Sequence, residues 1–544
     1  MPTQREILNE IIETSHRKNV QTRDGLYGVT RRVIKNRGGR IPDTTELRRA
    51  YEALIGTGRI GRSPILDSLL VRREVRSLSG VAVLTVLTKP YPCPGSCVYC
   101  PQERGMPKSY LSNEPAAARA LVHRFDPVRQ VQRRIRTLEE NGHPTDKIEL
   151  IVKGGTWSAY PPAYQTDFLR RCFDACNGYG RTAFRRSRTL REAQRRNETA
   201  RHRIIGLTLE TRPDWITPEE IVRLRELGCT RIELGVQSVD DAVLERVRRG
   251  HGTDEVRRAT RLLKDAGYKT DFHLMPQLPG ATPASDLRDL RRIFDDPGFR
   301  PDMIKIYPCT VIEGSPLHDW WRQGKYRPYP TSRLIETLIR AKTEVPRYCR
   351  ISRLIRDIPS TSIRAGNHTT NLRQVIQTEM TERGLACNCL RCREVGRAAK
   401  TDLRLIRATP HLFDDVYAAS GGQEHFLSFE DYRRRAVFAF CRLRLPSRKP
   451  SDDTKGLWDR IPEIRDTAFI RELHTYGHLV PINTRDPKAA QHKGLGRRLM
   501  LTAERIAREA GYRRMTVISG VGVRGYYRKL GYRLQGTYMV KKLR

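Results

Sequence analysis

At 544 residues the chain is too long for a single hydrophobic core, and two or three domains are expected. A hydrophobic fraction of 38% can support packed domains, while no apolar run reaches the ~18 residues of a membrane span, so a cytoplasmic protein without a membrane partner is the expectation. Lys and Arg number 101 against 61 acidic residues, a formal net charge of +40 that points to a polyanionic partner. Six of the 12 cysteines fall in two tight clusters, which favours metal ligation over disulfides.

Residues 1–77 read as a helical, basic region. Arg5–Ile12 places apolar residues at helical spacing. Arg23, Arg31, Arg32, Lys35, Arg37 and Arg40 surround Tyr27 and several glycines, a pattern that suits a phosphate backbone. The plainer reading is a solvated helical cap.

From residue 78 to 346 short apolar runs alternate with amphipathic ones. Strands are expected at Val81–Leu87, Lys147–Lys153, Ile204–Thr211, Arg231–Val236, Lys269–Leu274 and Met303–Pro308, with helices such as Pro218–Leu227 and Thr253–Ala266 between them. This is a parallel α/β architecture, a partial TIM-like (β/α)6 barrel, whose chemistry belongs at the C-terminal ends of its strands. Cys93, Cys97 and Cys100, then Gly154, Gly155 and Thr156, Glu210, Arg212, Gln237 and His273 all fall there. His273 has an ordinary reading as a packed barrel histidine.

The first expected strand runs into Lys89-Pro90-Tyr91-Pro92-Cys93-Pro94-Gly95-Ser96-Cys97-Val98-Tyr99-Cys100-Pro101. Prolines and a glycine forbid a helix or a strand here, so a rigid loop turns three thiols toward one point. The C-x3-C-x2-C spacing resembles that of radical S-adenosylmethionine (radical SAM) enzymes. There three thiolates hold a [4Fe-4S] cluster and leave one iron open to the cofactor. A zinc knuckle needs a fourth ligand nearby, and a disulfide leaves a spare thiol.

Between the second and third expected strands, Arg181–Arg203 carries nine arginines against Glu192 and Glu198. It reads as an exposed basic hairpin or helix contacting RNA. Residues 347–397 form a linker in which Cys387, Cys389 and Cys392 suit a small structural zinc (Zn2+) site. Its fourth ligand is open, with His368 or a distant cysteine as candidates.

Residues 398–544 change composition again. Strand-like runs appear at Ala436–Leu445, Ala468–Val480 and Met515–Ser519. Gln491-His492-Lys493-Gly494-Leu495-Gly496-Arg497 precedes a helix from Arg498 to Ala510. Such a loop presents backbone N–H groups at a positive helix end, the makings of a pyrophosphate site. The order of these elements is similar to that of Gcn5-related N-acetyltransferases (GNAT), in which a tyrosine of a later helix protonates the leaving thiolate.

Taken together the motifs resemble the Elongator protein 3 family, the catalytic subunit of Elongator, in its free-standing archaeal or bacterial form. The likeness rests on the Cys93 loop, Gly154-Gly155-Thr156, Leu209–Asp214, Glu233–Ser238, His273–Pro276, Arg356–Pro359, Glu424–Glu430, Arg471–His474, Gln491–Gly496 and Ile518–Gly522. It implies a tRNA uridine(34) acetyltransferase. In that chemistry a 5′-deoxyadenosyl radical takes hydrogen from the methyl group of acetyl-coenzyme A (acetyl-CoA), and the carbon radical adds to C5 of the wobble uridine. Thioester hydrolysis then leaves carboxymethyluridine. The resemblance also implies tRNA and an external electron donor as partners, a monomer or homodimer, and a larger complex for eukaryotic relatives. It places S-adenosylmethionine on Gly154, Gly155 and Thr156, and acetyl-CoA on Lys147, Glu472, Leu473, His474, Thr475, Leu495, Gly496, Arg497 and Tyr527, with Lys147 and Tyr527 as catalytic groups. The competing reading is a protein lysine acetyltransferase with a structural iron–sulfur cluster, in which Glu472 or a similar carboxylate is the general base.

Overall fold

The computed structural model describes residues 2–72, 79–399, 402–476 and 494–543. Helices Gln4–Arg17, Arg23–Arg37, Thr44–Gly56 and Pro64–Leu69 come first. Thr3 and Asp43 open the first and third with reciprocal capping boxes to Glu6 and Glu46. Ile7, Ile11, Leu26, Val33, Leu47, Tyr51 and Leu54 close a core of their own. The second helix turns Tyr27, Arg31, Arg32 and Lys35 outward, with the Arg31 guanidinium 4.8 Å over the Tyr27 ring.

The middle of the chain is a seven-stranded, wholly parallel sheet. Its strands are β1 (Ala82–Leu87), β2 (Lys147–Lys153), β3 (Arg203–Thr211), β4 (Arg231–Gln237), β5 (Lys269–Leu274), β6 (Met303–Ile306) and β8 (Arg350–Arg353), side by side in that order. Between the last two, β7 (Val311–Ile312) pairs separately with β9 (Ile363–Ala365). Helices cover one face, as Val256, Ala259 and Leu263 of the helix Thr253–Asp265 illustrate. Six strands lie where the apolar runs place them. The seventh, Arg-Ile-Ser-Arg, is too short and polar to stand out, and it carries the sheet past position 346 into the expected linker.

The C-terminal sheet contains β10 (His411–Ala419), β11 (Gly422–Glu430), β12 (Val437–Leu445), β13 (Ala468–Thr475), β14 (Arg514–Val517), β15 (Arg533–Gln535) and β16 (Tyr538–Lys542), ordered β10-β11-β12-β13-β14-β16-β15. Strands β13 and β14 run parallel but pair only over Ala468–Ile470 and Met515–Val517. Beyond Ile470 they part, so that the two strands splay apart along Arg471–His474. Among the described residues no helix is long and apolar enough to cross a membrane.

The two sheets meet at the N-terminal ends of the barrel strands. Arg471 of β13 binds Asp302, just before β6, at 2.6 and 2.7 Å. Arg444 of β12 binds Asp265 at 2.5 Å and Glu424 at 3.0 Å. These side chains are almost wholly buried, so sliding one domain against the other would leave desolvated charges unpaired. The seam is therefore fixed in register.

Candidate functional site

Two groups of candidate residues sit at opposite mouths of the barrel. At the C-terminal mouth the loop after β1 carries Cys93, Cys97 and Cys100. Arg249 donates to the Cys97 sulfur at 3.4 Å and to the Gly235 carbonyl at 3.2 Å. The Cys100 thiol, with Arg249 beside it, holds the Cys97 thiol down to about 4. A second guanidinium, Arg212, lies against Gly95, where a Cβ would come within 2.5 Å of it. Arg212 is paired with Asp214 at 2.9 Å, so Arg249 is the positive charge that suits a loop gathering thiolate negative charge.

Gly154 and Gly155 follow β2 with φ of +133° and +99°. A Cβ on Gly154 would lie 1.9 Å from the Thr88 hydroxyl, so the turn admits only glycine. Thr156 then sits with its hydroxyl 3.8 Å from the Cys93 sulfur. The turn and the thiol loop thus face one space.

Among the described residues, two groups bring three candidate ligand atoms within 4.8 Å: Cys387, Cys389 and Cys392, and Glu210, Glu233 and His273. The Cys97 and Cys100 thiols of the Cys93 loop lie within hydrogen-bond reach of each other, and Cys93 belongs to the same loop but to no such three-ligand group among the described residues. The donor set of three thiols fits a [4Fe-4S] cluster. At the second cysteine group no fourth His, Cys, Asp or Glu among the described residues joins the three thiols, and His368 stands apart.

Below the thiol loop the barrel lumen is ionic, a feature the apolar patterning of the strands does not announce. Lys153 of β2 binds Glu210 of β3 at 2.8 Å and also Glu233 of β4. His273 of β5 bridges the two carboxylates, at 3.3 Å to Glu210 and 2.9 Å to Glu233. Lys305 of β6 reaches Glu233 at 2.5 Å. Burial alone would raise the Glu233 carboxyl, yet the surrounding lysines and His273 hold it well below its usual range. Deeper still, Arg231 binds Glu149 at 2.9 Å. The carboxylate oxygens of Asp271 and the Thr208 hydroxyl are buried here without a protein partner among the described residues, so the lumen calls for water or a polar ligand.

At the N-terminal mouth Lys269, the first residue of β5, reaches Glu472 of β13 at 3.2 Å. Arg442 holds the other Glu472 oxygen at 2.9 Å. Burial would raise this carboxyl, but Lys269 and Arg442 hold it down to about 2. Lys147 stands at the same mouth, at the start of β2, where burial keeps its ammonium below the usual lysine range. His474 stacks on Phe440, lies tilted against Tyr476 and contacts the Ser79 carbonyl at 3.0 Å.

The helix Leu495–Glu509 starts behind Gly494, in the left-handed region at φ +68° and with no side-chain cap. The N–H groups of Leu495, Gly496 and Arg497 therefore end in a ready anion site. Gln491, His492 and Lys493, and the end of the strand expected through Val480, lie outside the described residues. A Cβ on Gly496 would meet the Tyr526 hydroxyl at 3.1 Å, Thr475 Oγ1 at 3.5 Å and Leu473 at 3.9 Å. The structure thus brings Leu473, Thr475, Gly496 and a tyrosine together. The hydroxyl at that point belongs to Tyr526. Tyr527 lies behind it, buried, its ring 5.4 Å from Tyr526 and 6.1 Å from Tyr532.

Comparison with known proteins agrees with this division. Residues 91–292 match the Radical SAM superfamily, 301–382 the Radical SAM C-terminal domain, and 486–532 the Acetyltransferase (GNAT) family. The chain is 45% identical over 492 residues to a tRNA uridine(34) acetyltransferase of Methanocaldococcus infernus, covering 88% of this chain and 89% of that one. It is 40% identical over 501 residues to Elongator complex protein 3 of Drosophila melanogaster, covering 88% and 86%. Among solved structures it is similar to the archaeal Methanocaldococcus infernus Elp3 with N-terminus deletion (1–46), at 42% identity and a TM-score of 0.71, covering 86% of this chain and 100% of that one.

Proposed function

The chain belongs to the family of tRNA uridine(34) acetyltransferases and Elongator complex protein 3, and on that footing we propose that it builds a carboxymethyl group on C5 of the wobble uridine of tRNA. It is an acyltransferase that joins a radical SAM domain to a GNAT domain. The observation that carries the reading is the seam, where Glu472 of the acetyltransferase sheet is held by Lys269 of the barrel. On this reading the cradle for acetyl-CoA opens at one mouth of the lumen and the thiol loop stands at the other.

Cys93, Cys97 and Cys100 are the residues to hold a [4Fe-4S] cluster, with Gly154, Gly155 and Thr156 beside S-adenosylmethionine. When bound, that pair supplies a 5′-deoxyadenosyl radical able to take hydrogen from an unactivated methyl group. Arg249, bonded to the Cys97 sulfur, offsets the thiolate charge. The lumen pairs among Lys153, Glu210, Glu233, His273 and Lys305 keep the space polar and its walls fixed.

In the other domain the N–H groups of Leu495–Arg497 receive the pyrophosphate of acetyl-CoA. The splayed edge of Glu472–His474 offers backbone partners to the amides of its arm. Tyr526, whose hydroxyl lies beside Gly496, is the nearer group to protonate the leaving thiolate, with Tyr527 packed behind it, and Lys147 is the candidate to meet the acyl group from the barrel side. Strand β2 spans the distance between the mouths, ~20 Å for seven residues. Acyl arm and base must therefore approach each other through the lumen.

Lysine acetylation is disfavoured on one observation. A carboxylate held at about 2 by two cations is a poor base for an ammonium near neutral pH. Anaerobic reconstitution with tRNA, acetyl-CoA, S-adenosylmethionine and a reductant tests the proposal. The expected result is 5′-deoxyadenosine formed together with a modified uridine; protein acetylation with neither product overturns it. Zinc at Cys387, Cys389 and Cys392, a monomer or homodimer, an external electron donor and a cytoplasmic setting complete the reading.

A further inference from the structure

The arginine-rich segment before β3 has an inward-facing partner as well as an outward face. Its helix, Leu190–Asn197, ends at Glu198, whose side chain is only 11% exposed. Arg524 Nη1 donates to one Glu198 oxygen at 3.1 Å, and Arg528 Nη1 donates to the other at 2.6 Å. Those two arginines are one turn apart on the helix Arg524–Lys529, and Tyr526 and Tyr527 lie between them. A barrel carboxylate thus grips the tyrosine helix of the other domain at two points.

Within its own domain that helix is anchored by the buried ring of Tyr527, packed against Tyr532, and its charged hold on the barrel is Glu198. The helix is six residues long and has no side-chain cap, too short to be stable by itself. It is reached through Gly520 and Gly522, which lie against the backbone of β3. A Cβ on Gly520 would fall 1.9 Å from the Ile205 carbonyl oxygen. The helix is therefore seated on the barrel, and Glu198 is the charged contact that acts with the packing of Tyr527 on its rotation.

We propose that Glu198 is a positioning residue for the acetyl-CoA half of the reaction, a side chain of the radical domain that aims the tyrosine pair of the acetyltransferase domain at the coenzyme cradle. The inference rests on the reading of Tyr526, backed by the buried Tyr527, as the coenzyme-facing group. It assigns to the radical domain a part in aligning chemistry carried out by the other domain.

The test uses full-length protein, reconstituted anaerobically, with Glu198→Gln, Glu198→Ala and Glu198→Asp beside the double variant Tyr526→Phe/Tyr527→Phe. Turnover is followed as acetyl-CoA-dependent tRNA modification, and thermal midpoints are measured in parallel. Glu198→Gln is expected to lower kcat about tenfold, with KM for acetyl-CoA within twofold, because a shift of about 1 Å in a reacting group is enough. Glu198→Asp should recover part of that activity, and the midpoint should stay near that of the parent. A kcat within twofold of the parent, or a decline that tracks a falling midpoint through all three variants, overturns the proposal. Full activity of the double tyrosine variant overturns instead the reading on which it rests.

Discussion

Lys269 of the barrel and Glu472 of the acetyltransferase sheet meet at 3.2 Å across the domain seam, with Arg442 closing the other side of the carboxylate at 2.9 Å. Every conformational change that separates the domains must break this pair. The clamp also fixes the protonation state of Glu472 over the working pH range.

The sign of its pH dependence follows. The Glu472 carboxyl titrates at about 2 in the fold against an ordinary 4.5. Its contribution to stability is complete above about 4.5 and is lost as the pH falls toward 2. Acid unfolding of the parent and of Glu472→Gln should therefore differ at a pH of about 6 and converge between 4.5 and 2. A difference that persists unchanged at the acid end would show that the carboxylate is not clamped.

Removal of one thiol should separate the two half-sites. Cys97 is buried beside Arg249, so Cys97→Ala leaves a guanidinium facing a cavity and removes one of the three thiols proposed to hold iron. Iron content and the visible charge-transfer bands should collapse, and tRNA modification with them. Binding of acetyl-CoA, followed by calorimetry, should remain within about twofold of the parent because the proposed cradle lies at the far mouth. Modified uridine in this variant would exclude the thiol loop from the chemistry.

Two glycine substitutions report on different joints. Gly154→Ala drives a methyl into the Thr88 hydroxyl, which also bonds the Tyr160 hydroxyl at 2.7 Å. Overpacking of this kind costs about 1–3 kcal/mol, and a left-handed φ adds strain. Gly520→Ala meets a backbone oxygen that cannot turn away. The first should lower SAM-dependent turnover with one thermal transition retained. The second should split melting into two transitions as the seam opens, and calorimetry distinguishes them.

How much of this is legible in the sequence follows from what kind of signal each part leaves. The thiol loop is legible because three cysteines in eight residues among prolines have few meanings. Six barrel strands show as apolar, β-branched runs, whereas Arg350–Arg353 leaves no such trace and appears only through its pairing with β6. Strand β10 is hidden in the same way by its exposed, mixed composition. The lumen charges do leave a signal, Lys147, Glu149 and Lys153 at alternate positions of one run, but their partners lie on other strands. The choice between Tyr526 and Tyr527 depends on how a six-residue helix is rotated, which docking decides and composition does not. His368 is a candidate by its chemistry alone, and the fold keeps it out of the cysteine group.

The second cysteine group predicts a metal-dependent joint. Lys342 and Arg373 lie close enough to feel all three thiols, and their charge suits thiolates bound to a divalent ion. Cys389→Ser should release about one zinc per chain and lower the thermal midpoint, while leaving the iron of the Cys93 loop in place. Metal analysis of both species decides it; equal zinc in parent and variant would remove this group from metal binding.

The basic segment offers the last prediction, and its geometry sets the size of the effect. Arg185, Arg186, Arg188, Arg191 and Arg195 are exposed, whereas Arg196 is engaged by Glu192 at 2.6 Å. Replacing those five with glutamine removes charge without touching Glu198 or the buried Leu190, Ala193 and Asn197. If each meets a phosphate, the slope of log affinity against log salt should flatten by roughly 0.7–0.9 for every phosphate no longer neutralised. Arg31, Arg32 and Lys35, exposed on the helix Arg23–Arg37, supply an independent set, and combining the two sets should flatten the slope further by the sum. Fluorescence anisotropy with a labelled tRNA over a salt series reads both. An unchanged slope for the five-arginine variant would confine RNA binding to other surfaces and leave Glu198 as the reason this segment lies where it does.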